Sequence, residues 1–194
     1  MKILPTFAFK SISIMKRFSL IIAALVFSAS LMAQPFPTTF KSVQITGSYK
    51  AVVKQLEAEG FKAAYEGKKE LNGMHEGEKT LVKIGINKDI DQVCSLTVNR
   101  SVIERDSAED ISAKFNAIYE KFAKDPKYTS DRANRKADGG ASFDPNISIG
   151  IVFQAKFYQD GDPNRLVELN IRRYQAKYHY KEIKYINCYN LGVK

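Results

Sequence analysis

The pattern of apolar and polar positions predicts two amphipathic helices. In the first, Val52 and Leu56 lie on one helical face, Ser48 precedes them as an N-cap, and Gly60 follows as a C-terminal residue. A serine hydroxyl accepts a hydrogen bond from the first turn, and glycine adopts the left-handed conformation without steric cost. We therefore predict a helix between Ser48 and Gly60, with Phe61 packed back on its apolar face.

The second helix is predicted to follow Ser107, which caps it together with Asp110 in a weaker form of the capping box. Asp125 and Pro126 end it, because proline cannot continue the hydrogen-bond ladder. Its apolar face is formed by residues that recur at helical spacing: Ile111, Phe115, Ile118, Tyr119 and Phe122.

Alternation of apolar and polar residues predicts strands in the first half of the chain. The clearest are 80–87 and 93–99, with 62–66 as a weak strand and a brief strand around Val43 and Ile45. The two clear strands bury alternate residues: Val82, Ile84 and Ile86, then Cys94, Leu96 and Val98.

In the second half, alternation predicts three strands. The apolar positions of the first are Ile147, Ile149, Ile151, Phe153, Ala155 and Phe157. Those of the second are Val167, Leu169 and Ile171, and the third is the segment 178–187. Turn residues occur at Asn72 and Gly73, at 87–91 and at 160–164. The polar segment 127–145 is long enough to be a mobile loop.

These elements define an α+β fold class. Two α-β-β-β units, 40–100 and 107–190, are expected to form an antiparallel sheet with two helices packed on one face. We expect one domain over 34–194, because a chain of this length buries one core. Its predicted members are Val52, Leu56, Phe61, Ile84, Leu96, Phe115, Ile118, Phe122, Ile151, Phe153, Leu169 and Ile171.

The first 33 residues have the pattern of a cleavable signal peptide. Lys16 and Arg17 precede the apolar run 18–27, and small residues over 28–33 lead to a cut after Ala33. The alternative is a buried N-terminal helix, but the segment has no amphipathic period. The apolar run is too short to span a membrane comfortably, so the mature form is expected to have no transmembrane span. The predicted location is therefore periplasmic or secreted, whether translation starts at Met1 or Met15.

Removal of the leader changes the charge of the protein. The formal net charge is +9, and residues 1–33 contribute four cations and no acid, which leaves about +5. This mildly basic balance does not indicate a nucleic-acid-binding protein. Export also permits a disulfide between Cys94 and Cys188, although two buried thiols are the alternative that we favour.

The opening of the domain resembles a family of uncharacterised secreted Bacteroidetes proteins. The resemblance rests on the segment 40–48 (FKSVQITGS), on Val52 and Leu56, on 59–61 (EGF) and on 71–73 (LNG). By element order, the helix–three-strand repeat is similar to the β-lactamase-inhibitor-protein-like fold and to small outer-membrane-lipoprotein-assembly folds. The resemblance implies a fold and an extracytoplasmic address, and it brings no catalytic residues. The chain lacks the cysteine of the lipoprotein members.

No pattern in the sequence indicates catalysis, a metal or a cofactor. His75 lies in a polar turn and His179 in a strand rich in Tyr and Lys, and we interpret both as surface residues. Asp160, Asp162 and Asn164 begin like an EF-hand loop, but the glycine and glutamate that the motif requires are missing, so turn chemistry explains them. No glycine-rich phosphate loop opens either helix.

The C-terminal strands interleave basic and aromatic residues: Arg172, Arg173, Tyr174, Lys177, Tyr178, Tyr180, Lys181, Lys184, Tyr185 and Tyr189. The simplest interpretation is a solvated sheet face. Tyr and Arg are also typical interface residues, so Arg172, Tyr174, Tyr178 and Tyr180 are the predicted ligand-binding residues. The expected function is a non-enzymatic binding or envelope module with a protein or glycan partner. The alternative is an extracytoplasmic hydrolase with a cleft near the 127–145 loop.

Overall fold

A computed structural model describes residues 36–65, 69–100, 106–174 and 178–191. The predicted signal peptide, 1–33, lies outside the described residues, as does Lys177. Contacts divide the chain into residues 1–36 and residues 37–194, and every element below belongs to the second unit.

The described elements are two helices, ten strands and a short 3-10 helix, in this order: β1 (Thr39–Phe40), β2 (Val43–Gln44), α1 (Tyr49–Ala58), β3 (Lys62–Ala63), β4 (Glu70–His75), β5 (Glu78–Asn87), β6 (Gln92–Arg100), α2 (Ala108–Lys124), β7 (Tyr128–Ser130), β8 (Gly150–Gln159), β9 (Arg165–Tyr174), β10 (Tyr178–Asn187) and the 3-10 helix (Cys188–Asn190). Neither helix is long and apolar enough to cross a membrane, judged over the described part of the chain.

Eight strands form one antiparallel sheet in the order β3-β4-β5-β6-β10-β9-β8-β7, and β1 pairs with β2 as a separate hairpin. The α+β class and the antiparallel sheet with two helices are therefore confirmed. The number of strands differs from the prediction, because each helix is followed by four strands instead of three. The additional strands are β4 and the short β7, neither of which shows a clear apolar alternation.

Both predicted helix caps are present. The Ser48 hydroxyl accepts a hydrogen bond from the Ala51 amide, and Ser107 accepts one from the Asp110 amide. At the end of α1, Gly60 has φ +88°, and the Phe61 amide donates to the Leu56 carbonyl over 3.0 Å. This bond pattern is a Schellman motif, and it places Phe61 in the core below α1.

One hydrophobic cluster contains residues from both helices and from the strands. All of the predicted core residues belong to it except Ile151. The register of β8 against β9 shifts between Ile151 and Phe153, which marks a β-bulge. The extra residue, Val152, is buried, and Ile151 pairs with Arg172 away from the core. Strict alternation therefore fails at Ile151.

The predicted turn at Asn72 and Gly73 is wrong, because both residues lie inside β4. Gly73 lies directly beneath the ring of Phe61: a Cβ atom at this position would come within 2.4 Å of Phe61 Cδ1. The glycine makes room for an aromatic ring here. The real turn between β4 and β5 is at Glu76 and Gly77, which both have positive φ, as a two-residue hairpin requires.

The segment 127–145, which was predicted to be a mobile loop, is irregular after β7, and side-chain hydrogen bonds attach it to the rest of the fold. Asn116 exchanges two hydrogen bonds with the backbone of Ala137, at 2.9 and 2.8 Å. The Asn134 side chain similarly bonds the backbone of Lys156. Ala137 and Phe143 are buried in the hydrophobic cluster.

Candidate functional site

The four predicted binding residues lie on one face of the sheet. In the β9–β10 pairing, Arg172 is opposite Tyr180, and Tyr174 is opposite Tyr178. Ile171, the residue before Arg172 in β9, belongs to the core. Successive residues of a strand point to opposite faces of the sheet, so Arg172 and the three tyrosines are on the face opposite the helices. We call this face of the sheet the open face.

Apolar side chains at and just before the start of β8 accompany these residues. Ile149, just before β8, is 70% exposed, and Tyr174 is 41% exposed. The β-bulge places Ile151 next to Arg172 in the register. Isolated exposed apolar residues are ordinary, but a group of them beside an arginine and tyrosines is typical of interaction surfaces.

A polar network extends across the open face from β8 to β10. Gln154 Nε2 donates to Asn170 Oδ1 over 2.9 Å, and Asn170 Nδ2 donates to Glu182 Oε1 over 3.4 Å. The Arg172 guanidinium contacts the same carboxylate at 3.1 Å. On β6, Asn99 is opposite Glu182, and its Oδ1 is buried without a hydrogen-bond partner among the described residues.

The pKa of Arg172 reflects this network. Partial burial acts against the positive charge of the guanidinium, but the Glu182 carboxylate and Tyr180 together outweigh it, so the pKa of Arg172 is raised. Glu182 is buried with only 6% exposure, and Asn170 is fully buried. Arg172 is therefore held in place by buried partners while part of its side chain reaches the surface.

The sequence prediction missed Gln154, Asn170 and Glu182. Their pattern contains a usable signal, because each is a polar residue at an alternate position of a strand whose other positions are apolar. On their own, such residues indicate only solvent exposure. Their lateral alignment depends on the pairing register, which no local pattern reveals.

The interleaved basic and aromatic residues do not all share the open face. Tyr185 pairs with Leu96 and Val167 and belongs to the hydrophobic cluster. Lys181 is on the same face of β10 as Tyr185, and its ammonium group pairs with Glu78 at 3.2 Å. The expected face therefore divides between the two sides of the sheet.

The interpretation of the histidines as surface residues is wrong for His179 and only partly right for His75. His179 is buried with 5% exposure, its Nε2 accepts a hydrogen bond from Arg173 Nε over 3.4 Å, and its Nδ1 has no partner within the described ranges. Burial, together with the charge of Arg173, lowers the pKa of His179. His75 is half-buried and contacts the Phe40 ring edge-on at 5.0 Å, and burial lowers its pKa.

Cys94 and Cys188 are free thiols in the structure. Cys94 is buried, whereas Cys188, at the start of the 3-10 helix, is only half-buried. Burial raises the pKa of the Cys188 thiol, so it is protonated and weakly nucleophilic at neutral pH.

The residues that begin like an EF-hand loop serve the β8–β9 hairpin. Asp162 accepts a hydrogen bond from the Asn164 amide at 2.9 Å, and Asp160 pairs with Arg165. Over the residues that the structure describes, no three His, Cys, Asp or Glu side chains are grouped so as to hold a metal ion.

The fold and its open face thus define an α+β protein whose eight-stranded antiparallel sheet is covered by helices on one side. Comparison with protein-family models, curated proteins and solved structures finds no match to this chain.

Proposed function

We propose that the protein is an exported, non-enzymatic binding module of the cell envelope. The observation that carries this proposal is the grouping of Arg172, Tyr174, Tyr178 and Tyr180 on the open face. Tyrosine and arginine supply large contact areas and hydrogen bonds in interfaces, and exposed Ile149 extends the patch. The partner is a protein or a glycan of the envelope.

The surroundings of His179 support a binding role over hydrolysis. A hydrolase of the serine or cysteine type needs a histidine within hydrogen-bond reach of a nucleophile, with an acid to orient it. The partner of His179 is instead the guanidinium of Arg173. A positively charged donor beside a ring nitrogen disfavours the protonated form that a general base must adopt.

Export forms part of the same proposal. The leader at 1–33 precedes a fold whose first described strand begins at Thr39, so cleavage after Ala33 leaves every described element intact. N-terminal mass spectrometry of the protein from its native host should find a chain that begins at or near Gln34. An intact Met1 or Met15 in a soluble cytoplasmic fraction would contradict export.

We also propose that the fold is a repeat of two related units. The helix α1 precedes β3 to β6, the helix α2 precedes β7 to β10, and the last strands of the two meanders, β6 and β10, pair at the centre of the sheet. The resemblance to the β-lactamase-inhibitor-protein-like fold agrees with such a repeat. We expect the two units to superpose strand for strand. Superposition of the helices alone would contradict the repeat.

The binding proposal is tested by capture from envelope extract. The affinity-tagged chain serves as bait beside an Arg172→Ala/Tyr174→Ala variant, and Tyr189→Ala is the matched control, because Tyr174 and Tyr189 are both 41% exposed. Quantitative mass spectrometry and glycan analysis of the eluates identify the partner. Protease treatment or periodate oxidation of the extract distinguishes a protein from a glycan.

We expect the double variant to lose the partner at least tenfold relative to the unmodified chain, because two anchor residues of an interface each contribute about 1 kcal/mol or more. The Tyr189→Ala control should retain it. Equal capture by the chain and the double variant would mean that the open face is not the binding surface.

A further inference from the structure

A cavity lies on the helix-covered side of the sheet, away from the open face. It is bounded by the β1–β2 hairpin, the β4–β5 turn, the C-terminal part of α2 and β10, and its volume is about 220 Å³. Phe40, Ile118, Phe122 and Ile183 form an apolar wall, and polar and charged side chains form the rest of the lining. A concave apolar site with a few polar groups is the usual form of a small-molecule site.

The volume limits the size of the ligand. An engineered cavity of about 150 Å³ with apolar walls binds benzene. A cavity of about 220 Å³ is half as large again, so it accommodates a planar molecule of one or two rings. Several wall residues are themselves aromatic: the rings of Phe122 and Tyr128, for example, are edge-on at 4.7 Å. Aromatic walls favour an aromatic guest through edge-to-face contacts.

Two polar side chains of the cavity lack protein partners. Tyr185 is 95% buried, and its hydroxyl forms no hydrogen bond with any residue that the structure describes. His75 also lines the cavity, and its ring nitrogens have no hydrogen-bond partner in the same part of the chain. Neither the Tyr185 hydroxyl nor a His75 ring nitrogen is a fully buried atom, so both reach the space of the cavity and can bond to a ligand that takes the place of water.

The mouth of the cavity is electrically balanced. Two cations, Lys41 and Lys121, and two anions, Glu76 and Asp125, border it. Lys121 pairs with Glu76 at 3.0 Å, and Lys41 is 3.6 Å from Glu59 outside the cavity. No single sign of charge dominates, which favours a neutral ligand over an anion or a cation.

From the apolar walls, the unpaired Tyr185 and His75 groups and the balanced mouth, we infer that this cavity binds a neutral aromatic molecule of one or two rings that carries one hydrogen-bonding group. Phenols and indoles belong to this class. The rings fill the space beside Ile118 and Phe122, and the polar group bonds to the Tyr185 hydroxyl, with His75 as a further partner. The site is separate from the open face and does not depend on the binding function proposed above.

Indole is a suitable probe, because the chain contains no tryptophan, and excitation at wavelengths that tyrosine does not absorb selects the fluorescence of indole. We expect saturable binding with a dissociation constant of about 100 μM, as the size of the molecule allows. Tyr185→Phe keeps the ring and removes the hydroxyl, and it should weaken indole binding about fivefold. Binding of naphthalene, which has no hydrogen-bonding group, should be unchanged by the same substitution.

Ile118→Phe adds a ring to the wall and should reduce the binding of both probes at least tenfold by filling the cavity. Tyr189→Phe, which removes a hydroxyl far from the cavity walls, should leave both affinities unchanged. Circular dichroism verifies that each variant is folded. No saturation at concentrations about tenfold above the expected constant, or indole binding that neither Tyr185→Phe nor Ile118→Phe weakens, would overturn the inference.

Discussion

The helix-covered face and the open face of the sheet are stabilised by different chemistry on the same strands. On the helix-covered face, Leu169 and Ile171 pack with both helices in one apolar cluster. On the open face, Asn170 and Arg172 alternate with them and join a hydrogen-bonded network around Glu182. The comparison indicates that the first face contributes most of the stability, and that the second can specialise in contacts with a partner.

The largest effect is expected from Phe115→Ala on the helix-covered face. Phe115 is fully buried and contacts Phe153 edge-to-face at 5.2 Å. Its truncation should lower the free energy of unfolding by about 3–5 kcal/mol through lost burial and the resulting cavity. Chemical denaturation monitored by circular dichroism measures this change. A loss below about 1 kcal/mol would mean that the helix-covered face is not the principal core.

An intermediate effect is expected from Glu182→Ala on the open face. The substitution leaves Arg172 and Asn170 without their shared acceptor, which should cost about 2 kcal/mol in the free energy of unfolding. Glu168→Ala is the matched control: Glu168 has the same parity on the neighbouring strand and no ion pair among the described residues, so its change should stay within about 0.5 kcal/mol. Equal losses of unfolding free energy in the two variants would mean that the network around Glu182 does not stabilise the fold.

A smaller effect is expected from acidification, which acts on the helix-covered side, where His75 and His179 lie. The lowered pKa of each histidine means that the unfolded chain takes up protons first as the pH falls below about 6.5. Stability should be complete above that pH and decrease towards pH 5. Glu78, whose pKa is held at about 2 by Arg100, titrates in a lower range and does not contribute there.

The groups that face His75 support this sign, and at His179 burial and Arg173 outweigh Asp106 and Glu109. Lys41, Lys121 and Lys181 oppose the protonation of His75, and only Glu76 favours it, with burial as the dominant cause. Denaturation curves at several pH values measure the slope, and a His75→Gln/His179→Gln variant should flatten it. A stability that rises on acidification from pH 7 to 5 would contradict the burial of these side chains.

The local features of the fold could be predicted from the sequence. The caps at Ser48 and Ser107 and the Gly60-Phe61 helix end depend on residues within one turn of each other, so a local pattern contains the necessary information. The two helical faces and the alternation in β5, β6 and β9 are of the same kind.

Features that depend on contacts between distant residues could not be predicted. Gly73 looks like part of a turn until the ring of Phe61 is placed above it. Ile151 leaves the core because of a bulge that is defined only by pairing with β9. Tyr185 lies in a segment rich in Tyr and Lys that looks solvent-exposed, but its pairing with Leu96 places it in the core. The four predicted binding residues do share one face of the sheet. The sequence analysis missed the cavity, because residues from distant parts of the chain form it.

The division of stability and binding between the two faces is tested most directly by measuring stability and partner capture on the same two variants. Phe115→Ala should lower the melting temperature by about 10 °C, given a loss of about 3–5 kcal/mol in a domain of this size, and should still capture the envelope partner at a temperature where it is folded. Arg172→Ala/Tyr174→Ala should lose the partner, and its melting temperature should fall by only about 5 °C, because Glu182 loses its cation but keeps its bond to Asn170. Capture that is lost with Phe115→Ala in its folded state and retained by Arg172→Ala/Tyr174→Ala would contradict the assignment of binding to the open face.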